Sequence, residues 1–187
     1  MQDNVNKFCE TIRNRSMENQ IALGLMYSNQ LYSNAISILR QELDLMIRTI
    51  YVLGVTDNEY RDELMKCFVE GRKWKRPHSQ FDVTDRHMVE YAHTLFGYTR
   101  LVYMFGCRFV HLSNLQNWLD EDVANNLDDR TKADLVLYIN QYHNAGLESD
   151  FTFSDIIIFV PDIFDKLHGN LDCYVRDIEN GNWGKTD

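Results

Sequence analysis

Residues 37–54 read SILRQELDLMIRTIYVLG, from Ser37 to Gly54. Within and just ahead of this run, Ile36, Leu39, Leu43, Met46, Ile47, Ile50 and Leu53 recur mostly every three or four residues, the period of one helix face. Gly54 stands where a helix end accepts a glycine. On another face Arg40, Asp44, Arg48 and Tyr51 step by four, four and three, so they form a polar line along the same helix. Two arginines flanking one aspartate carry more positive charge than that aspartate offsets. The line therefore predicts an added anion, either a phosphate or a carboxylate from a neighbouring helix. The simpler reading is an Asp/Arg pair within one helix on a solvated face. Glu42 reads as lying on a different face.

Working outward, residues 17–31 are helical in pattern through Ile21, Leu25 and Leu31, and residues 29–34 hold enough small polar groups for a break. Thr56 with Glu59, Thr131 with Asp134 and Thr152 with Asp155 have the spacing of capping boxes, and Thr84-Asp85 suits a further helix start. The expected helices cover about 17–54, 57–74, 85–112, 130–143 and 153–180, with Pro161 kinking or dividing the last and opening its second half. Residues 75–83 read as a linker and 120–129 as a solvated connection. No segment alternates with a strict period of two, so strands are not needed. The fold class is all-α: one domain over residues 1–187, a bundle of five to six helices with long antiparallel members.

Composition agrees. The 187 residues hold 44% apolar and 25% charged side chains with only 2 Pro and 9 Gly, which excludes disorder over the whole chain and turn-dense β architectures. The formal net charge of −9 excludes a general electrostatic sleeve for duplex DNA, leaving room for one local basic patch. Cys9, Cys67, Cys107 and Cys173 form no CxxC, so zinc knuckles are not expected. The N-terminus has no apolar signal core and no stretch is long enough to span a membrane, so a cytoplasmic protein is expected.

A second polar line runs through residues 85–112: Arg86, Glu90, His93, Gly97, Arg100, Met104, Cys107 and His111 alternate in steps of four and three. Leu95, Val102, Phe105 and Phe109 make the rest of this helix apolar, which reads as a central helix. Its buried His and Arg would then need partners, and Gly97 would admit a close backbone or ligand. The plain reading is a satisfied polar seam between helices.

The run SILRQELDLMIRTIYVLG resembles the first long helix of the HEPN (higher-eukaryote and prokaryote nucleotide-binding) domains, and YTRLVYMFGCRFVHLS, from Tyr98 to Ser113, is compatible with a central helix of such a bundle. The resemblance covers about two-thirds of the chain. It implies a short helical bundle, a homodimer, and RNA or nucleotide-phosphate recognition in a bacterial defence or toxin–antitoxin setting, with an antitoxin-like protein as partner. It extends to metal-independent RNase activity without a cofactor. The family's Arg–polar–His signature is matched by Arg86, His87 and His93. The resemblance gives His93 action on the 2′-hydroxyl or leaving oxygen, and Arg86 stabilisation of phosphorane charge. Seven positions are two turns, about 10 Å along the axis, so both side chains would share a face. Glu90 between them would alternatively neutralise the pair. Arg40, Asp44, Arg48 and Arg100 are the expected ligand-binding residues, around a polar cleft between the two helices.

Three other readings stand beside this one. Arg72-Lys73-Trp74-Lys75-Arg76 is either a single-strand contact or a solvated helix end. Glu90-x-x-His93 and Asp165-x-x-His168, with Asp44 and Glu63, mimic a di-metal carboxylate bundle. In the third, the chain is a non-catalytic binding or assembly module whose Arg, His and Asp satisfy a buried network. No serine elbow supports a hydrolase.

Overall fold

The computed structural model describes residues 2–93, 99–110 and 122–184, with the backbone alone at His93. These fold as an all-α bundle: α1 (Gln2–Ser28), α2 (Tyr32–Leu53), α3 (Asn58–Val69), α4 (Asp85–His93), α5 (Thr99–Val110), a 3-10 turn (Val123–Asn126), α6 (Asp129–His143), α7 (Phe153–Ile157) and α8 (Val160–Glu179). Among the described residues no strand forms. The helical segments outnumber the five to six expected, chiefly because α1 and α2 are separate and Pro161 divides the last helix.

The central helix is α2, not the segment from Asp85 onward. Leu43, Met46, Ile47, Ile50 and Leu53 are fully enclosed, each side chain stabilising the fold by about 1.5–3 kcal/mol relative to exposure. α2 lies against α1, α4, α5 and α8. Residues 29–31 turn the chain back from α1, with Gln30 in the left-handed region (φ 58°) and the Leu31 N–H donating to the Met26 carbonyl at 2.8 Å. So tight a turn makes α1 and α2 antiparallel neighbours. α1 begins far upstream of the expected start at Met17: Val5, Phe8, Cys9 and Ile12 are spaced for one face and all buried.

Other ends moved for local reasons. α3 starts on Asp57, whose carboxylate accepts from the Glu59 and Tyr60 amides, rather than on Thr56. It stops before Glu70, where Gly71 turns left-handed (φ 68°), so Trp74 lies beyond it. α6 is capped by Asp128 through the Thr131 amide and ends on left-handed Asn144. The Thr152–Asp155 capping box forms. Pro161 sits in the first turn of α8, where its missing N–H costs nothing. Asp122 serves two segments, accepting from the Ala124 amide of the 3-10 turn and the Phe153 amide that opens α7, both at 2.9 Å.

Residues 75–83 are a tight excursion rather than an open linker. Lys75 and Asp82 form an isolated antiparallel bridge, and the Val83 N–H donates to the Trp74 carbonyl at 2.9 Å. Among the described residues no helix is long and apolar enough to cross a membrane.

Candidate functional site

Arg40, Asp44 and Arg48 do share one face of α2, and their extra negative charge comes from a neighbouring helix. Asp85, the first residue of α4, accepts from Arg48 Nη2 at 2.7 Å, while Asp44 accepts from Arg48 Nε at 2.9 Å. Arg40 stands 3.5 Å from Asp44 and 4.0 Å from Asp85. Two guanidiniums and two carboxylates make the quartet neutral. Arg40 stacks over the Tyr103 ring of α5 at 3.8 Å, and Arg48 lies 5.9 Å from the Trp74 ring. α5 comes this close because position 106 is glycine: a Cβ there would meet the Arg40 side chain at 2.8 Å. Arg40 is 8% exposed. Burial works against its charge, and Cys107, Asp44 and Tyr103 more than offset that, leaving its pKa above the ordinary arginine value. Its Nε and Asp44 Oδ1 are both buried without a hydrogen-bond partner. These groups line an open cleft of about 440 Å³ together with Arg15, Tyr103 and Cys107.

Arg86 does not join the quartet. Its side chain is 86% exposed and donates to Glu90 at 2.9 Å, which together with Arg100 holds the Glu90 carboxyl below the usual range. The His93 side chain, Gly97 and His111 lie outside the described residues, and with them the expected Arg86–His93 pairing. Arg100 belongs to a different groove, of about 630 Å³ between α5 and α6. Arg100, Arg108 and Arg130 line it with Phe105, Tyr138 and Tyr142, and Met104 and Leu137 are exposed at its surface. Arg108 pairs with Asp128 at 3.0 Å. The Thr131 amide and hydroxyl, with Arg108, lower the Asp128 carboxyl to about 2. Among the described residues Arg100 and Arg130 make no ion pair. The groove escaped sequence reading because the spacing within each helix does not show which faces of α5 and α6 meet.

Among the described residues the buried carboxylate is Glu42. It is fully enclosed and accepts from Ser16 and, at 2.9 Å, from Asn19, both on α1. Ser16 Oγ also lies 2.7 Å from His168 Nδ1 on α8. Ser16 and Asn19 sit three apart on the buried face of α1, which marks that face as needing a polar partner without naming Glu42.

The basic run is not a stacking platform. Trp74 is buried and stacks on Tyr51, Arg72 bonds Glu63 and Glu70, and Lys73 and Lys75 reach Asp82. Four side chains of the di-metal alternative have separate partners: Asp44 on Arg48, Glu63 on Arg72, Glu90 on Arg86 and His168 on Ser16; that of His93 lies outside the described residues. Among the described residues no three or more His, Cys, Asp or Glu side chains gather as a metal site. Comparison with protein-family models, with curated proteins and with solved structures finds no match for this chain.

Proposed function

We propose that this protein is a HEPN-like bundle that binds RNA or a nucleotide phosphate along the α5–α6 groove. The observation that carries the reading is that Arg100, Arg108 and Arg130 outnumber Asp128 and Asp134 in one groove with Phe105 and Tyr142, in a chain of net charge −9. Guanidiniums supply phosphate contacts and rings supply stacking for single-stranded bases. In this reading cleavage belongs to Arg86 and His93, in the roles the resemblance implies, without a metal. Arg40, Asp44 and Arg48 take a different part from the one expected, holding α4 and α5 on α2. A homodimer and an antitoxin-like partner in a bacterial defence setting go with the same proposal.

The test is binding of a fluorescent single-stranded RNA at several salt concentrations, with metal-free cleavage measured in parallel on the native chain and His93→Ala. Arg100→Ala and Arg130→Ala are expected to weaken binding and to reduce the salt slope by about 0.7 for each phosphate left without its cation. Cleavage by the native chain that His93→Ala abolishes would establish the RNase. A second reading, a non-catalytic assembly module, is favoured by the neutral Arg40–Asp44–Arg48–Asp85 quartet, which needs no external anion. Absence of both binding and cleavage would transfer the proposal to that module, with light scattering then reporting its assembly.

A further inference from the structure

The second half of α1 faces the opposite way from its apolar pattern. Residues 17–31 take their helical spacing from Ile21, Leu25 and Leu31, and these groups stand in solvent. Met17, Ile21 and Leu25 are 52%, 66% and 56% exposed, and Leu31, on the turn that follows, is 44% exposed. The side of α1 that packs on the bundle carries Ser16 and Asn19 instead, both held by Glu42. The bundle does not need the outer row, since α1 already packs on α2, α3 and α8 with Val5, Phe8, Cys9, Ile12 and Leu23 buried. Single exposed apolar side chains call for no explanation. Met17, Ile21 and Leu25 are successive neighbours on one helix face, and with Leu31 they offer roughly 400 Å² of apolar surface, the size at which a patch marks an interaction site.

From this outward row we infer that α1 is a dimer interface: a second copy of the chain docks on it, with Met17, Ile21 and Leu25 of one copy against the same three of the other. Spacing, symmetry and area select a second copy. Steps of four make the row an i±4 ridge, which interdigitates with an identical ridge at the commonest helix crossing, about −50°. The row is symmetric about Ile21, so a twofold axis there sets Met17 opposite Leu25 and Leu25 opposite Met17, the self-complementary arrangement of an isologous dimer. A standard interface takes about 800 Å² from each partner, a little over half of it apolar, which is the area these side chains offer. A lipid surface fits less well, because an interfacial helix needs Lys and Arg beside its apolar face. Here Glu18 stands beside it, Arg15 is already bonded to Glu18 and Gln41, and the chain carries a net charge of −9. The inference gives the homodimer of the proposal above a surface and draws nothing from RNA binding.

The experiment is sedimentation velocity of the intact chain over a range of concentrations at low and high salt, with Ile21→Lys as the test and Ile158→Lys as the control. Ile158 is a comparably exposed apolar residue, at the end of α7. The native chain is expected to dimerise with a Kd of about 100 μM or tighter. The dimer should tighten at least threefold at high salt, as ions screen the repulsion between two copies of net charge −9. Ile21→Lys places two ammonium groups at the axis and is expected to weaken the dimer at least thirtyfold with the helical circular dichroism unchanged, whereas Ile158→Lys should change it less than threefold. In a Cys173→Ser background, which removes the exposed thiol, Ile21→Cys is expected to be joined to its partner by a short bis-maleimide and Ile158→Cys is not. A chain that stays monomeric at several times that concentration, a dimer that Ile21→Lys leaves intact, a dimer that loosens with salt, or failure of the Ile21→Cys cross-link overturns the inference. The two proposals fail separately. A dimer that binds no RNA strand removes only the groove, and strand binding by a chain that stays monomeric removes only the α1 interface.

Discussion

Gly106→Ala should destabilise the fold, although alanine is the better helix former. In a helix interior the exchange gains about 1 kcal/mol from backbone entropy. Against this, the new Cβ would stand 2.8 Å from Arg40 Cβ and 3.2 Å from its Cγ and Cδ. The Arg40 stem cannot swing clear without leaving Tyr103, 3.8 Å away, and the Asp44 and Asp85 carboxylates. Overpacking of this kind costs about 1–3 kcal/mol, and a clash at Cβ, fixed to the backbone, belongs at the upper end. The expected net loss is about 1–2 kcal/mol, a fall in Tm of roughly 2–8 °C for a domain of this size. Gly24→Ala is the internal control. A Cβ there meets nothing within 4 Å, so it should raise Tm by about 2–4 °C through helix propensity alone. Thermal unfolding followed by circular dichroism compares the two. If Gly106→Ala melts at or above the native chain while Gly24→Ala behaves as expected, the close α2–α5 approach is wrong.

Four other outcomes are expected. Asp85→Asn, at a half-exposed carboxylate shared by Arg48 and Arg40, should lower stability by about 1 kcal/mol in urea titration, more than Glu90→Gln does; equal effects would deny the quartet a structural role. Glu42→Ala should cost about 3–5 kcal/mol because Ser16 and Asn19 lose their buried acceptor, with Glu42→Gln retaining part of it in guanidinium unfolding. Alkylation at pH 8 followed by mass spectrometry should modify exposed Cys173 first and Cys9 last, since burial and then Glu179 push the Cys9 thiol up to about 11; early labelling of Cys9 would contradict its burial. Asp128, lowered to about 2, contributes stability that is fully present above its unfolded pKa near 4 and is lost as pH falls through about 2. Tm should therefore drop between pH 4 and 2 and drop less in Asp128→Ala; an unchanged acid slope in that variant would refute the assignment.

The elements that could be read from the chain are those set by neighbours in sequence. Gly54 closes α2, the Thr152–Asp155 box opens α7, Pro161 begins α8, and the Arg40–Asp44–Arg48 spacing puts three charges on one face. The start of α1 is harder to see because Val5, Phe8, Cys9 and Ile12 are scattered among polar residues, although that face is buried against the bundle. The site is only half legible. Periodicity shows which charges share a helix face, but not that Asp85 reaches across to complete them, nor that Glu42 turns inward to Ser16 and Asn19. It sets Arg86 and Arg100 on one line and does not show that Arg86 stands in solvent while Arg100 meets the arginines of α5 and α6. Packing between helices depends on rotation and crossing, which no local spacing encodes.

The double duty of Asp122 makes the 3-10 turn and the first turn of α7 a single unit of local opening. When that carboxylate swings away it releases both amides, so the Ala124 and Phe153 N–H groups are expected to trade their protons with solvent in step. One side chain thus links this corner of the bundle across about thirty intervening positions of chain.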